Sequence, residues 1–318
     1  MPSLTEITPT PNRFFEEHTM DKEAAVQSLT DTMAKFTSYI GKRLPKDVKA
    51  KLADLRTMET NPLAKSIYDS MAGNQEAADK LDRPSCQDTG VIQYFISAGS
   101  NFPLIGELEE VLRNATLGAT KLGPLRHNAV ETFDEKNTGT NTGTQIPWLD
   151  WRIIPGEDTC LIDVYMAGGG CTLPGAAKVL MPGQGYEGVA EFVMDVITER
   201  GVNACPPLLV GVGVSTSVET AARLSKLAIL RPVDSKSSNA NAALMEELLE
   251  QGLNEIGIGP QGLTGNNSVM GVNIESSARH PSTIGVAVNT GCWAHRRGKI
   301  RINPDMSYEI ISHEGAVL

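Results

Sequence analysis

The stretch from Pro207 to Val214, PLLVGVGV, contains only apolar residues and glycine. A strand with one face in solvent would alternate apolar with polar residues, and this stretch does not. Unbroken apolar runs of this length are typical of strands that are buried on both faces. The sequence therefore predicts a sheet that other elements cover on both sides.

Predicted strands and helices alternate around this run, from about residue 90 to about residue 290. Such alternation is typical of an α/β fold, here a mixed sheet flanked by helices. Before residue 90 the spacing of apolar residues predicts only helices, which form a helical N-terminal layer. The predicted helices are 22–39, 45–57, 62–72, 104–121, 185–200, 218–230 and 240–251, and the predicted strands are 90–97, 161–165, 207–214, 271–274 and 283–288.

The chain has 318 residues, and 41% of them are hydrophobic, which is enough for a large core. Residues 1–18 are polar and contain proline, so we predict an N-terminal arm there. No shift in composition and no internal repeat divides the remainder. We therefore predict a single domain over residues 19–318.

The charge of the chain limits its possible partners. The formal net charge is -10, and no stripe of Lys and Arg occurs, which argues against binding to nucleic acid. The N-terminus lacks the basic start and apolar stretch of a secretory signal, and no run of about 18 apolar residues follows it. These observations predict a cytoplasmic protein without a membrane partner.

Five cysteines are scattered through the sequence. Their odd number and wide spacing suit neither a disulfide framework nor a zinc module with paired CxxC motifs. An isolated cysteine in a reducing compartment is most often a small buried hydrophobic residue. Three of the five differ, because each lies in a loop beside an apolar strand: Cys86 in RPSCQDTG, Cys205 in NACPP and Cys292 in NTGCWAHRR.

Reactive residue types accompany two of these cysteines. Asp88 closely follows Cys86, and such a carboxylate either closes an Asx turn or belongs to a site at the end of a strand. Three potential cations, the HRR of residues 295–297, follow Cys292. We expect them to lower the pKa of the Cys292 thiol.

Three cysteines without a fourth suit a cubane iron–sulfur cluster in which one iron stays open to substrate as a Lewis acid. Two other metal arrangements are open. His295 would complete a zinc site, although a merely hydrogen-bonded histidine is the commoner case. Cys171 would be the fourth ligand of a fully coordinated, electron-carrying cluster.

Two further segments have the composition of anion-binding loops. MAGGGCTLPG, residues 166–175, offers the amides of consecutive glycines, although a tight turn has the same composition. GPLRHNAV, residues 123–130, presents Arg126, whose guanidinium suits a carboxylate unless it is simply solvated. GIGPQGLTG, residues 257–265, follows a predicted helix rather than a strand and is therefore not interpreted as a dinucleotide-binding loop.

Six segments together resemble the class I fumarase and L(+)-tartrate dehydratase family, specifically its alpha subunit or N-terminal half. They are RPSCQDTG, PLRHNAVE, VYMAGGGCTLPG, VNACPPLLVGVG, GIGPQGLTG and STIGVAVNTGCWAHRRG. The resemblance extends from about residue 22 to the C-terminus. FDEKNTGTNTG and YEGV are similar to the tartrate dehydratase branch in particular.

The resemblance implies a [4Fe-4S] cluster with one iron not ligated by protein. The family's three ligand positions fall on Cys86, Cys205 and Cys292, which leaves Cys160 and Cys171 as non-ligands.

The resemblance also implies the residues that contact the substrate, a small dicarboxylate. These positions are Gln87, Asp88, Arg126 and Gly169, with Asp88 as the catalytic proton donor or acceptor. The family's other catalytic groups lie in a C-terminal half that this sequence does not contain. We therefore expect a separate beta subunit, in an assembly of two alpha and two beta chains.

The reaction that the resemblance implies is a hydro-lyase reaction, the dehydration of L(+)-tartrate to oxaloacetate and water. The alternative within the family is the interconversion of malate and fumarate by the alpha subunit of a class I fumarate hydratase. Both use the same cluster and a substrate with two carboxylates.

Overall fold

The computed structural model describes residues 21–318, and the predicted arm at residues 1–18 lies outside that range. Two sheets with helices packed against them and a helical N-terminal region make up the described chain, in agreement with the predicted α/β class. Its helices are α1 (Lys22–Lys42), α2 (Lys46–Met58), α3 (Pro62–Leu81), α4 (Leu108–Leu122), α5 (Gly169–Thr172), α6 (Gly185–Arg200), α7 (Val218–Leu230) and α8 (Ala240–Glu255). Its strands are β1 (Val91–Gly99), β2 (Val130–Glu131), β3 (Lys136–Asn137), β4 (Trp148–Ile154), β5 (Cys160–Ala167), β6 (Ala176–Leu180), β7 (Leu208–Ser215), β8 (Val269–Ser276), β9 (Ile284–Gly291), β10 (Arg297–Ile302) and β11 (Tyr308–Ile310).

The three N-terminal helices confirm the predicted helical layer, but α3 is longer than predicted. It begins after Asn61, whose side chain accepts hydrogen bonds from two amides of the first turn. It continues through Gly73, just beyond the predicted end, and stops at Leu81. A β-carbon added at Gly73 would meet no atom within 4 Å, and the good helix formers after it compensate for a glycine.

The first sheet has the strand order β11-β10-β5-β1-β4. Helices α1 and α4 pack against each other and against β1 and β5, and together they form one hydrophobic core. Strand β1 is antiparallel to β5 and parallel to β4, which lies at the edge. Strands β4, β10 and β11 were not predicted: β4 and β11 are largely exposed, and the alternation of β10 is short and interleaved with three basic residues.

The second sheet has the order β6-β9-β7-β8, with the apolar run of β7 in its interior. All eight residues of β7 are buried, as predicted from the sequence. Helices α6 and α8 share a core with one face of this strand, and α7 covers the other face. The predicted single sheet is therefore two sheets, each with its own helices.

Two glycines in β7 allow α7 to lie directly on the strand. A β-carbon on Gly213 would lie 1.9 Å from the carbonyl oxygen of Ala221, and one on Gly211 would lie 2.3 Å from that of Ser225. Both obstacles are backbone atoms of α7, which cannot move without moving the helix. The glycines of VGVG are thus a packing requirement.

Two connections link the sheets. The chain passes from β5 to β6 through residues 168–175 and from β9 to β10 through residues 292–296. A third hydrophobic cluster fills the space near these connections and includes residues of α2, α3, α7 and both sheets, among them Tyr165, Leu209 and Trp293. No helix within residues 21–318 is both long enough and apolar enough to cross a membrane.

We expect Gly213→Ala to lower the free energy of unfolding, because the added methyl group collides with the backbone of α7. The expected loss is about 1–3 kcal/mol, the range for overpacked cores. Gly73→Ala is the matched control, since it adds the same atom at an open helical position and should be neutral or slightly stabilising. Urea unfolding followed by circular dichroism measures both. Equal midpoints for the two variants would contradict the packing argument.

His313 is buried near the C-terminus and is held in its neutral form. The hydroxyl of Ser312 lies 2.7 Å from Nδ1, and Nε2 faces the carbonyl oxygen of Arg43 at 3.4 Å. Burial lowers the pKa of His313 to about 4, and the charges of Arg297 and Lys49 act in the same direction, against a smaller opposite effect of the Arg43 carbonyl and Asp47. The edge of its ring packs against Tyr39.

The free energy of unfolding should therefore fall as the pH is lowered from 6.5 to 4. The unfolded chain binds a proton at His313 over this interval and the folded chain does not, so the contribution is complete above pH 6.5 and decreases by up to about 3 kcal/mol at pH 4. We expect His313→Gln to weaken this dependence in urea titrations across that range. His127→Gln, at an exposed position, is the control, and an identical slope in the two variants would contradict the assignment.

Candidate functional site

Strand register brings the separated sequence motifs together. In the first sheet Val91 pairs with Ala167, so the loop before β1 lies beside the loop after β5. In the second sheet Leu209 pairs with Gly291, so the loop before β7 lies beside the loop after β9. Cys86 and the GGGC segment therefore meet at one sheet, and Cys205 meets Cys292 at the other.

The two connections then join these pairs of loops into one site. Residue 297, at the start of β10, pairs with Tyr165 of the first sheet, while Ala176 pairs with Val288 of the second. The loops at residues 168–175 and 292–296 are consequently shared by both sheets. All four motifs lie at this junction.

Cys205 occupies an unusual backbone conformation at the junction. Its φ angle is 54°, in the left-handed region that residues other than glycine seldom adopt, and its side chain is exposed. Its carbonyl oxygen accepts a hydrogen bond from the amide of Trp293, which fixes it beside the Cys292 loop. Burial of part of the thiol raises the pKa of Cys205, and the negative charges of Cys86, Cys171 and Asp88 raise it further.

The five cysteines differ in their access to solvent. Cys205 is exposed, and Cys86 and Cys292 are partly exposed. Cys160 is fully buried in the first core, where desolvation raises its pKa to about 12. Cys171 is also buried, and its thiol donates to the carbonyl oxygen of Gly168 at 3.1 Å.

The thiols of Cys171 and Cys292 influence each other's pKa. The hydrogen bond from Cys292 lowers the pKa of Cys171 to about 6 despite burial, and Tyr165, Lys226 and Arg296 act in the same direction. The same interaction, followed by burial, raises the pKa of Cys292 well above its ordinary value. Proximity thus does not separate Cys171 from the three expected ligands, and burial of the thiol does not either, since it affects Cys292 as well.

The expected effect of the three cations after Cys292 is largely wrong. Burial lowers the pKa of His295 to about 3, so this residue is neutral, with Nε2 bonded to the Ile229 carbonyl oxygen. Arg297 forms an ion pair with Asp47. Of the three, only Arg296 lowers the pKa of the Cys292 thiol, and its effect is smaller than those of the neighbouring Cys171 and of burial.

The Asp88 carboxylate links the Cys86 loop to the glycine-rich loop through hydrogen bonds. One carboxylate oxygen accepts hydrogen bonds from the Gly90 amide at 2.9 Å and the Asn128 side chain at 3.4 Å. The other accepts from the Gly169 amide at 2.8 Å. Gly168 approaches this carboxylate so closely that a β-carbon there would lie 3.1 Å from it. The backbone of the glycine-rich loop therefore contacts an anion, and that anion is the carboxylate of Asp88.

The other expected substrate contacts surround Asp88. Gln87 is exposed, and its side-chain oxygen lies 3.6 Å from the Cys86 sulfur. Arg126 is exposed, and its amide donates to the Thr89 hydroxyl at 3.0 Å, which holds this segment against the Cys86 loop. Gly169 is exposed as well. The structure thus brings Gln87, Asp88, Arg126 and Gly169 to the same region as the cysteines.

Three further residues lie at this junction, and only Arg296 among them was singled out from the sequence. Lys226 of α7 lies over the Tyr165 ring, 5.2 Å from its centre, and Arg296 donates to the Asp88 carbonyl oxygen at 2.6 Å. Tyr165 lies 3.7 Å from the Cys171 sulfur through its hydroxyl. The CWAHRR motif contained a signal for Arg296, but nothing in the sequence distinguished Lys226 from other helix residues.

The chemistry of the three cysteine donors fits an iron–sulfur cluster, whose irons are bound by thiolates. Within residues 21–318, no three His, Cys, Asp or Glu side chains are grouped to hold one metal ion. His295 is buried and bonded to backbone, so the zinc arrangement that uses it is not found. In a cubane each cysteine binds a different iron, so three spaced, accessible thiols fit it without meeting at one point.

Comparisons with known proteins agree with the resemblance of the six segments. The model of the Fumerase family, described as fumarate hydratase, matches residues 30–301. The chain is 58% identical over 298 residues to the L(+)-tartrate dehydratase subunit alpha of Escherichia coli K12, which covers 94% of this chain and 98% of that protein. The same values hold for the protein of that name from Shigella sonnei.

A more distant relative extends the comparison to Methanocaldococcus jannaschii. Its putative L(+)-tartrate dehydratase subunit alpha is 32% identical over 265 residues, which cover 82% of this chain and 93% of the relative. The family model and these relatives span most of the described chain, including both sheets and all four motifs. The chain therefore belongs to the fumarate hydratase (Fumerase) family.

Proposed function

We propose that this chain is the cluster-bearing alpha subunit of a hydro-lyase that converts L(+)-tartrate to oxaloacetate and water. The observation that carries the proposal is the convergence of Cys86, Cys205 and Cys292 on one accessible junction beside Asp88 and the exposed Gly169. The names of the relatives that are 58% identical support the choice of tartrate.

The three accessible cysteines are the ligands in this proposal. A [4Fe-4S] cluster with one iron free of protein ligands would supply a Lewis acid that makes the substrate's hydroxyl a better leaving group. Cys160 is excluded from the ligand set by its depth in the first core. Cys171 is instead a buried neighbour of Cys292 and Tyr165 and binds no iron in this proposal.

Asp88 is proposed to carry the proton at its Oδ2 atom. That atom accepts one hydrogen bond, from the Gly169 amide, and has a second lone pair, while Oδ1 is occupied by Gly90 and Asn128. In the dehydration, a C–O bond and a neighbouring C–H bond break, water leaves, and the enol product tautomerises to oxaloacetate. The three donors fix the carboxylate in one orientation for this transfer.

Binding of the dicarboxylate is assigned to the residues around Asp88. The Arg126 guanidinium is exposed and has the planar donors that suit a carboxylate, and the Gln87 amide offers a neutral donor next to Cys86. Their positions on loops tied to the Asp88 loop would orient the substrate relative to the cysteines.

A partner chain belongs to the proposal. The relatives are named as alpha subunits, and the junction is open to solvent at Cys205, Gln87 and Gly169. We propose that a beta subunit covers this opening and supplies further catalytic groups, in a cytoplasmic assembly of two alpha and two beta chains. The chain alone should then be inactive.

Fumarate hydration is the second candidate, because the matching family model carries that description. The two reactions require the same ligands and the same recognition of two carboxylates. The candidates therefore differ in substrate rather than in mechanism.

Anaerobic purification of the chain with a co-expressed beta subunit tests the proposal. We expect about four irons and about four sulfides per alpha chain, with oxaloacetate formed from L(+)-tartrate and no activity from the alpha chain alone. A preference for L-malate in the parallel assay would assign fumarate hydratase instead. Zinc in place of iron would overturn the mechanism.

Single cysteine substitutions test the ligand set. Cys86→Ser, Cys205→Ser and Cys292→Ser should each lose the cluster, because each removes one of three thiolates. Cys171→Ser is the matched control at the same junction, and it should retain iron. Iron analysis and the visible absorption of the purified complex measure both outcomes.

Full iron content in any of the first three variants would contradict the assignment of that cysteine. Loss of iron in the Cys171→Ser variant, with the fold intact by circular dichroism, would move Cys171 into the ligand set. A fully coordinated electron carrier would then replace the hydro-lyase as the best interpretation.

A further inference from the structure

Arg296 is buried at the junction with most of its hydrogen-bonding capacity unused. Its side chain is almost completely inaccessible to solvent, and only Nη2 has a partner, the carbonyl oxygen of Asp88. The Nε and Nη1 donors are buried without a hydrogen-bond partner among the described residues. A guanidinium is normally buried only with its donors satisfied, so two free donors indicate a missing acceptor.

The position of the unused donors follows from the hydrogen bonds of Arg296. Its Nη2 atom donates to the carbonyl oxygen of Asp88, two residues after Cys86, and Arg296 itself is four residues after Cys292. The amide of Met166 donates to the Arg296 carbonyl oxygen, which fixes the backbone on the first sheet. The guanidinium therefore lies where the loops of Cys86 and Cys292 meet.

Lys226 approaches the junction from helix α7 of the second sheet. Its ammonium group lies over the Tyr165 ring, 5.2 Å from the centre, and the hydroxyl of that ring lies 3.7 Å from the Cys171 sulfur. The side chain is half-buried, and within residues 21–318 this ring is its only polar or charged contact. No carboxylate of the described chain forms an ion pair with Lys226 or Arg296.

Buried cations without a carboxylate partner destabilise a fold unless another negative charge compensates them. The carboxylate at this junction, Asp88, is already bound to the amides of Gly90 and Gly169 and to Asn128. The remaining candidates for negative charge are the thiolates of the junction and any anionic sulfur bound to them. Arg296 enters this region on the connection into the first sheet, and Lys226 enters it from helix α7 of the second.

We propose that Arg296 and Lys226, here called the cationic pair, hold the sulfur anions of the iron–sulfur site and set the charge balance of the cluster. This inference rests on the proposed function, because it takes the cluster as the anion. The free donors of Arg296 provide hydrogen bonds to sulfur, and Lys226 provides a positive charge across the Tyr165 ring. Both are positioning residues that act on the cofactor and do not contact the substrate in this proposal.

The pair has a measurable consequence for the cluster's redox balance. The potential of an iron–sulfur cluster depends on its net charge and on hydrogen bonds to its sulfur atoms. The reduced cluster carries one more negative charge than the oxidised cluster, so removal of a neighbouring cation disfavours the reduced form. Loss of either cation should therefore make reduction harder.

The test uses the anaerobically purified complex with its beta subunit. Wild type, Arg296→Gln, Lys226→Gln and Arg296→Lys are titrated with dithionite, and the reduced cluster is quantified by electron paramagnetic resonance. At a given potential, both Gln variants should show at least a tenfold lower ratio of reduced to oxidised cluster, which corresponds to a shift of about 59 mV. Arg296→Lys keeps the charge and should lie between wild type and Arg296→Gln.

Arg301→Gln is the matched control. Arg301 lies on β10, a few residues after Arg296, but it is exposed and paired with Glu309 across the strand pair. Its removal should leave the potential at the wild-type value, which distinguishes a local effect of the cationic pair from a general change in charge.

Wild-type potentials in both Gln variants with full iron content would overturn the inference. If Arg296→Gln does not assemble, Lys226→Gln decides, because this side chain reaches the surface and its removal leaves no buried donor without a partner. A wild-type complex without iron and sulfide would instead contradict the proposed function. The two failures are therefore distinct.

Discussion

The antiparallel pairing of β10 with β5 holds the two sheets of this protein together. Strand β9 belongs to the second sheet, and only residues 292–296 separate it from β10 in the first. The register that sets Arg297 opposite Tyr165 thus determines where Cys292 lies relative to the loops of the first sheet. Asp88, Arg296 and the thiols meet because this crossing is short and its register is fixed.

Much of this arrangement could be predicted from local sequence. The apolar run of β7 identified a doubly covered strand, and helical periodicity identified the N-terminal layer. The motifs around Cys86, Cys205 and Cys292 marked loops that meet at the junction, and the family resemblance is confirmed. These features depend on residues close together in the chain, so their patterns are visible without the fold.

Other features depend on contacts that local sequence does not record. The division into two sheets follows from pairing between distant strands, and the short alternation in β10 does not reveal which strand it pairs with. In the sequence, Lys226 is an ordinary residue of an amphipathic helix, and only the packing of α7 on β7 places it over the Tyr165 ring. His295 was grouped with two cations because of its position in the chain, but its buried ring is neutral. Register and burial, rather than composition, decide these cases.

The distribution of the accessible cysteines between the sheets has a mechanical consequence. Cys86 lies on a loop of the first sheet, Cys205 on a loop of the second, and Cys292 on a crossing between them. A ligand bound to all three thiols is therefore a cross-link across the seam, and its binding energy opposes separation of the sheets. Loss of such a ligand would weaken the contact between the two sheets first, because each sheet has its own hydrophobic core.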